Sequence, residues 1–288
     1  MDGVIVLLKP PGMTSSNAVY DIRKLCGEKR AGHLGTLDPA AAGVLPVCLG
    51  RATKLFDLLV DKDKEYVFEL TFGARTDTQD VYGRVLARGG GTVARGELEG
   101  VLPSFLGEQR QTAPIYSALK VDGRKMYDLA RAGQAVEPKT RPVRIDALEL
   151  LDQTGERRFL LRTVCSRGTY IRSLCESIAD RLGTVAYLSF LLRTRTGPFS
   201  VAQAASVPEL RLAAEQGVLS KRIVSCEEAL SFLPAVRLPG NRRTPTANGL
   251  DTRVPGAADG FCRVYAGGTF LGAGKVTSGA LKLAIHLY

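Results

Sequence analysis

The chain has 288 residues, 45% of them hydrophobic and 24% charged, which is the composition of an ordinary globular protein and excludes general disorder. This length accommodates one large core and a small second domain. Lys and Arg number 39 against 29 Asp and Glu, a formal net charge of +10. Such an excess favours a polyanionic partner such as nucleic acid, although a basic surface kept for solubility would give the same count.

The six cysteines form no C-x-x-C pair, and the two histidines add no set with zinc-ligand spacing, so we expect no metal. Cysteines without such pairing usually behave as small buried hydrophobic residues, and their thiols stay reduced in a reducing compartment. Near the amino terminus only residues 4–8 are continuously apolar, which is too short for a signal peptide or a membrane span. We therefore expect a cytoplasmic protein.

The first part of the chain is predicted to mix strands and helices. The run VIVLL predicts a buried strand, followed by the loop KPPGMTSS. Ser15 or Ser16 is suited to cap the helix NAVYDIRKLCG, which Gly27 ends. Further on we expect a strand in VLPVCLG and a helix in ATKLFDLLV. The alternation in KEYVFELTFG predicts another strand, with GRVLAR as its partner across the turn RTDTQDVY.

The later part is predicted to contain two helices in ELEGVLPSFL and MYDLARAG, then the hairpin VRIDALELLDQTGERRFLLRTVCS with its turn at DQTGE. In SRGTYIRSLCESIADRLG, Gly168 breaks the strand and Thr169 is suited to cap a helix. LSFLLRTRTGPF predicts one more strand. From about Pro234 short β-like runs separated by glycines predict a small β-barrel.

Asp38 stands out in the segment GTLDPAAAG, which otherwise consists of small and apolar residues. A residue that precedes a proline is pushed out of the α region, so we expect Asp38 on an extended loop. No charged residue lies within several positions of it, so its carboxylate needs a partner from elsewhere in the chain or a substrate. The alternative is an ordinary turn aspartate that bonds its neighbouring backbone.

Six segments occur in an order that closely resembles the bacterial TruB family of tRNA pseudouridine synthases: KPPGMTS, GHLGTLDPAAAGVLPVCLGRATK, KEY, RTDTQD, APIYSALKVDGRKMYDLARAG and SRGTYIRSLCESIADRLG. The likeness runs from Lys9 to about Phe199, and the tail resembles the PUA domain of that family. It implies an α+β fold with a pseudouridine-synthase catalytic domain at 1–233, built on a mixed, mainly antiparallel sheet. An RNA-gripping thumb insertion at about 108–140 and a PUA-like RNA-binding β-barrel at 234–288 are also implied.

The resemblance implies conversion of uridine-55 in the TΨC loop of tRNA to pseudouridine. The N1–C1′ bond breaks and the base rejoins through C5, without metal or organic cofactor. Asp38 is then the catalytic nucleophile, Arg172 the cation that pairs with it, and Tyr66 the ring that stacks on the target base. Whether Asp38 attacks the sugar, attacks the base or acts first as a base stays open. The protein is expected to act on the T-arm as a monomer that needs no protein partner.

Other positions match residues that bind substrate in the family. His33 is expected to enter the tRNA stack when the base flips out, and Tyr170 and Leu191 to line the uracil pocket. Lys9, beside Pro10, belongs to a motif that closes over the active-site loop. The thumb cations Lys120, Arg124, Lys125 and Arg131 are suited to phosphate contact. Leu192 departs from the family, since several relatives have a basic residue there, a loss for which Arg193 and Arg195 could compensate.

Simpler alternatives exist for two of these residues. Arg172 could be a solvent-exposed arginine in the first turn of a helix, and Tyr66 a packing aromatic in a strand. A competing function for the whole chain is that of a non-catalytic RNA-binding protein or tRNA chaperone. Only catalysis requires Asp38, Tyr66 and Arg172 together, and all three are present. We therefore favour catalysis.

Overall fold

The computed structural model describes residues 1–89, 92–116, 120–121, 124–126 and 139–288. The strands, in chain order, are β1 (Gly3–Lys9), β2 (Ala31–His33), β3 (Ala42–Leu49), β4 (Lys64–Phe72), β5 (Ala74–Thr76), β6 (Val85–Arg88), β7 (Gly107–Thr112), β8 (Lys120–Val121), β9 (Arg124–Lys125), β10 (Thr140–Gly155), β11 (Arg158–Cys165), β12 (Ala186–Thr196), β13 (Phe199–Ser200), β14 (Ile223–Val224), β15 (Ala235–Leu238), β16 (Thr252–Arg253), β17 (Gly260–Ala266), β18 (Thr269–Thr277) and β19 (Ala280–His286).

The α-helices are α1 (Ser15–Leu25), α2 (Phe56–Val60), α3 (Arg95–Val101), α4 (Ile171–Arg181), α5 (Val207–Glu215), α6 (Cys226–Ala229) and α7 (Arg243–Ala247). Short 3-10 helices lie at Gly50–Leu55, Leu102–Phe105, Val201–Gln203, Leu219–Arg222 and Gly240–Arg242. Across the described ranges, no helix combines the length and the apolar character that a membrane crossing requires.

The chain divides into two compact units. The first comprises Met1–Pro39, Gly43–Val60 and Gly197–Tyr288, and the second comprises Ala40–Ala42 and Asp61–Thr196. Both combine helices with mainly antiparallel strands, which confirms the α+β class. The domain limits expected from the sequence, 1–233 and 234–288, stay a prediction.

In the first unit, β1 is a buried strand, as the apolar run predicts. It pairs antiparallel with β3 on one side and β14 on the other, and β2 pairs with β3. Side chains from these strands form a core with residues from the end of the chain: Val4, Val6, Leu34, Val44, Cys48, Ala52, Leu55, Leu59, Phe199, Cys226, Ala229, Leu230, Ala273 and Leu287. All six cysteines are free and five are buried, as expected for small hydrophobic residues.

The N-cap of helix α1 lies one residue before Ser15, the earlier of the two predicted caps. Thr14 is the N-cap, and its hydroxyl accepts a hydrogen bond from the Asn17 backbone N–H at 3.1 Å. Gly27 follows the helix with a φ of +58°, a conformation that suits glycine at a helix end, so the predicted stop is confirmed. Because Thr14 caps the helix, the Ser15 hydroxyl is available for another contact.

The last part of the chain forms a five-stranded sheet in the order β15-β17-β18-β19-β16. β15 pairs parallel with β17, and the other pairs are antiparallel. The predicted short β-runs are therefore confirmed. The sheet is a curled half-barrel. Its strand order is linear, with β15 and β16 at its ends, so the closed barrel expected from the sequence is not confirmed.

In the second unit, an antiparallel sheet has the order β12-β4-β11-β10-β7. β4 alternates strictly between buried and half-buried residues, which confirms the predicted strand. GRVLAR does not pair with β4, because β11 and β12 already flank that strand. It supplies β6, which pairs instead with β5. The hairpin β10–β11 is also confirmed, although it turns after Gly155 and therefore later than predicted.

Candidate active site

Asp38 lies between β2 and β3, in a loop without regular secondary structure and with its side chain half-buried. The expected loop is therefore confirmed, and its extended conformation stays a prediction. Asp38 and His33 belong to the first unit, whereas Tyr66, Tyr170, Arg172 and Leu191 belong to the second.

The residues on both sides of Asp38 are held by hydrogen bonds. The Leu37 N–H donates to the Ser15 hydroxyl at 2.9 Å, and that hydroxyl donates to the Leu37 carbonyl at 3.0 Å. On the other side, the Pro39 carbonyl accepts from the Gly12 N–H at 2.8 Å and from the Lys9 ammonium at 3.3 Å. We call Lys9, Gly12 and Ser15 the Asp38 clamp. The clamp fixes the backbone that carries the carboxylate.

Lys9 is completely buried although it carries a charge. Its ammonium also donates to the carbonyls of Pro10 at 2.8 Å and Met13 at 2.7 Å, so these bonds replace water around the cation. The expectation that Lys9 closes over the loop agrees with these contacts. The structure does not support a direct contact of Lys9 with substrate, because the side chain exposes no surface.

His33 is the last residue of β2 and lies opposite Val47 of β3. It is half-buried, and the chain runs from it directly into the Asp38 loop. Its insertion into a tRNA stack stays a prediction.

Arg172 lies in the first turn of α4 and exposes only 4% of its surface. Its guanidinium donates to the carbonyls of Thr78 and Tyr116, each at 3.0 Å. The alternative of a solvent-exposed helix arginine is therefore wrong. Since burial of an uncompensated cation costs several kcal/mol, this guanidinium depends on the groups arranged around it.

The Thr78 carbonyl is positioned by Gln79, a non-glycine residue with a φ of +64°. Such a conformation is uncommon and persists only where neighbouring contacts enforce it. The Gln79 side chain donates to the Glu176 carboxylate at 2.6 Å, and its backbone carbonyl accepts from Leu188 at 3.0 Å. Burial raises the pKa of Glu176. The RTDTQD segment thus anchors Arg172 through its backbone.

Tyr170 is the N-cap residue of α4, in the place expected for Thr169. Gln111 accepts from its N–H at 2.7 Å and donates to its carbonyl at 2.9 Å. The guanidinium of Arg141 lies 4.5 Å from the centre of the Tyr170 ring and also donates to the Gly168 carbonyl. Gly168 has a φ of +92°, a conformation that favours glycine, and a Cβ there would lie only 3.1 Å from the Arg141 guanidinium carbon.

Tyr66 and Leu191 lie on one face of the sheet in the second unit. Cross-strand pairing sets Leu191 opposite Phe68, and Tyr66 opposite Arg193. α4 packs against β4 and β12. Tyr66 exposes 8% of its surface, so both a packing role and a site role remain compatible with its position.

Two cations on this face, Lys64 and Arg193, are buried, which the sequence did not predict for either of them. Arg193 exposes 1% of its surface, which does not support the suggested phosphate contact for it. Lys64 is also buried, and burial, followed by the neighbouring Arg193 charge, lowers its pKa to about 8. The burial of Lys64 could have been predicted from the alternation of β4, because that alternation places Lys64 on the same buried face as Tyr66.

The predicted thumb is described only in part. Lys120 pairs with Lys125, and Val121 with Arg124, in the short hairpin β8–β9. Arg131 and the predicted helix MYDLARAG fall outside the described residues, apart from the backbone and burial of Met126. Within the described ranges, no group of three or more His, Cys, Asp or Glu side chains is arranged to hold a metal ion. The expected absence of a metal stays a prediction.

Comparison with known proteins agrees with the resemblance. The sequence model of the TruB family pseudouridylate synthase (N terminal domain) matches residues 23–171. The tRNA pseudouridine synthase B of Pelotomaculum thermopropionicum is 45% identical over 263 residues, covering 90% of this chain and 83% of that protein. The protein of the same name from an Azoarcus species is 42% identical over 283 residues, covering 98% and 93%.

Among solved structures, a chain of a Cbf5-Nop10-Gar1 complex matches with a TM-score of 0.73 and 30% identity, covering 95% of this chain and 78% of that chain. A chain of an H/ACA RNP bound to a substrate RNA containing 2'-deoxyuridine matches with a TM-score of 0.73 and 29% identity, with coverages of 95% and 77%. The chain belongs to the TruB family of pseudouridylate synthases.

Replacing Ser15 by alanine is expected to loosen the Asp38 loop, because both hydrogen bonds to Leu37 are lost. We expect the free energy of unfolding to fall by about 1–3 kcal/mol and the Leu37 amide to exchange faster. Urea unfolding and hydrogen exchange measure the two effects. Ser16→Ala is the matched control, since its side chain is exposed. Equal exchange at Leu37 in the two variants would contradict the clamp.

The lowered pKa of Lys64 predicts a pH dependence of stability. Between about pH 8 and the ordinary value of 10.5 the unfolded chain binds more protons than the folded one, so stability contributed by this site rises with pH. Relative to Lys64→Met, the wild type should gain up to about 3 kcal/mol across this window. Urea unfolding at several pH values measures it, with the exposed Lys24→Met as control. A difference between wild type and Lys64→Met that stays constant with pH would contradict the assignment.

Proposed function

We propose that this protein isomerises uridine-55 in the TΨC loop of tRNA to pseudouridine. The observation that carries the proposal is a half-buried aspartate on a clamped loop, in a chain that belongs to the TruB family. The relatives that cover most of the chain are named for pseudouridine synthesis in tRNA. Position 55 is the finer part of the proposal and derives from the motif resemblance.

Asp38 is the proposed nucleophile. An ionised carboxylate is suited to attack an electrophilic carbon or to remove a proton, and a covalent step divides one difficult reaction into easier ones. Arg172 is proposed to pair with it and to keep it ionised when substrate excludes water. The anchored guanidinium of Arg172 supports this role, since a fixed cation needs little rearrangement when the reaction begins.

The reaction balances without any co-substrate. The N1–C1′ bond breaks, a C5–C1′ bond forms, the C5 proton leaves and N1 gains a proton. Product and substrate are therefore isomers. The overall reaction therefore consumes no oxidant, reductant or co-substrate, and the proposal that neither metal nor organic cofactor takes part derives from the motif resemblance.

The target base must leave its stack in the folded tRNA, at a cost of a few kcal/mol. We propose that His33 fills the vacated space, that Tyr66 stacks on the flipped uracil, and that Tyr170 and Leu191 line its pocket. A stacking contact of this kind contributes about 1–3 kcal/mol, enough to offset the cost of flipping.

RNA affinity is proposed to come mainly from phosphate contacts. The net charge of +10 supports this, as do the cations Lys120, Arg124, Lys125 and Arg131 in the thumb segment. We further propose that residues 234–288 form a PUA-like RNA-binding domain, and that the protein acts in the cytoplasm as a monomer without a protein partner.

Asp38→Asn is expected to abolish turnover and leave tRNA affinity nearly unchanged, because it removes the nucleophile but keeps the shape of the side chain. Tritium release from tRNA labelled at uridine C5 measures turnover, and filter binding measures affinity. Asp57→Asn makes the same charge change at an exposed position in α2 and should leave both unchanged. Tritium release by Asp38→Asn at the wild-type rate would contradict the proposal. Binding by the wild type without any release would favour the non-catalytic RNA-binding or chaperone alternative.

Binding of tRNA is expected to weaken steeply with salt, because counterions are released from each contacted phosphate. A Lys120→Ala, Arg124→Ala, Lys125→Ala variant should reduce the slope of log affinity against log salt by about 3. The variant Arg211→Ala, Lys221→Ala, Arg222→Ala removes the same charge from exposed positions and is the control. Equal slopes in the two variants would contradict a thumb contact with phosphates.

A further inference from the structure

Arg193 and Tyr66 face each other across neighbouring strands. Arg193 in β12 lies directly opposite Tyr66 in β4, so both side chains project from the same face of the sheet. The Arg193 guanidinium hydrogen-bonds the Tyr66 side chain. A guanidinium has donors and no acceptor, so the phenol oxygen accepts this bond.

Burial of Arg193 is costly. Burial lowers the pKa of its guanidinium, which shows that the charged form is disfavoured there. A hydrophobic side chain of similar volume commonly stabilises a protein as well as a buried charged group, or better. Stability alone therefore does not account for an arginine at this place.

The strand that carries Arg193 is irregular on both sides of the pair. The register of β12 against β4 shifts between Leu188 and Phe190 and again between Arg193 and Arg195. Such bulges re-aim side chains and are frequent beside active sites. Between the two shifts, β12 presents Leu191 and Arg193 to the face that carries Tyr66.

We propose that Arg193 is a positioning residue that acts through Tyr66, a role that rests on the proposed function. Its guanidinium holds the phenol oxygen as an acceptor, which fixes the ring in the plane that stacks on uracil. It also restricts the direction of the phenol O–H. Without the guanidinium the ring keeps its place in the sheet but loses this fixed orientation.

A double-mutant cycle tests the proposal through tritium release. Arg193→Met should lower kcat roughly 10- to 100-fold, which corresponds to the loss of one hydrogen bond to a charged group. Affinity for tRNA should change less than about threefold, and Arg193→Lys should restore part of kcat because it returns a donor. In the Tyr66→Phe background, where the phenol oxygen is absent, Arg193→Met should cause no further loss.

The stability of each variant is measured by urea unfolding. We expect Arg193→Met to be no less stable than the wild type. The control is Arg162→Met, since Arg162 lies on the opposite face and pairs with Glu65 at 2.8 Å. Multiplicative losses in the double variant, or a wild-type kcat in Arg193→Met, would overturn the role of Arg193 alone. Absence of release by the wild type would overturn the proposed function, and this role with it.

Discussion

The ammonium of Lys9 ties together the loop after β1 and the loop that carries Asp38. The antiparallel pairing of β1 with β3 sets Lys9 opposite Gly43, close in sequence to the end of the Asp38 loop. From there the ammonium reaches the carbonyls of Pro10, Met13 and Pro39. Because the cation is completely buried, these bonds are needed to offset its desolvation. This one buried cation therefore helps to fix the conformation of both loops, together with the hydrogen bonds of Gly12 and Ser15.

In the second unit, too, buried cations are held by hydrogen bonds to neighbouring segments. Arg172 is buried on the carbonyls of Thr78 and Tyr116, and Arg193 is buried on the phenol of Tyr66. Each cation requires a neighbouring segment to stay in one conformation, and the strained Gln79 is one such requirement. Proteins keep such costly features mainly where chemistry needs fixed charges. These buried cations therefore fix the conformation of the segments around them rather than offer charge at the surface.

Much of the architecture could be predicted from local sequence patterns. The apolar run of β1 and the alternation of β4 each specify one burial pattern, and both strands are found. The proline after Asp38 was sufficient to place that residue on a loop. The pairing of GRVLAR was wrong because pairing depends on which strand edges are open, and β4 is flanked by strands from distant parts of the chain.

The contacts within the candidate site were harder to predict from the sequence. Ser15 looked like a helix cap, and only the folded chain shows that it bonds Leu37, 22 residues away in sequence. The proposed role of Arg193 depends on a strand register that includes two shifts, which no local sequence pattern predicts. The motif resemblance named the residues that we propose to react, whereas the groups that hold their backbone or side chains are seen only in the tertiary structure.

The most direct test of the central claim is to map the product by mass spectrometry on an unmodified tRNA transcript, after tagging with a reagent that alkylates pseudouridine N1 and leaves uridine unchanged. We expect one tagged nucleotide, at position 55 of the TΨC loop, and no tag when that uridine is replaced by cytidine. Tagging at other positions, or none with the wild-type protein, would contradict the account.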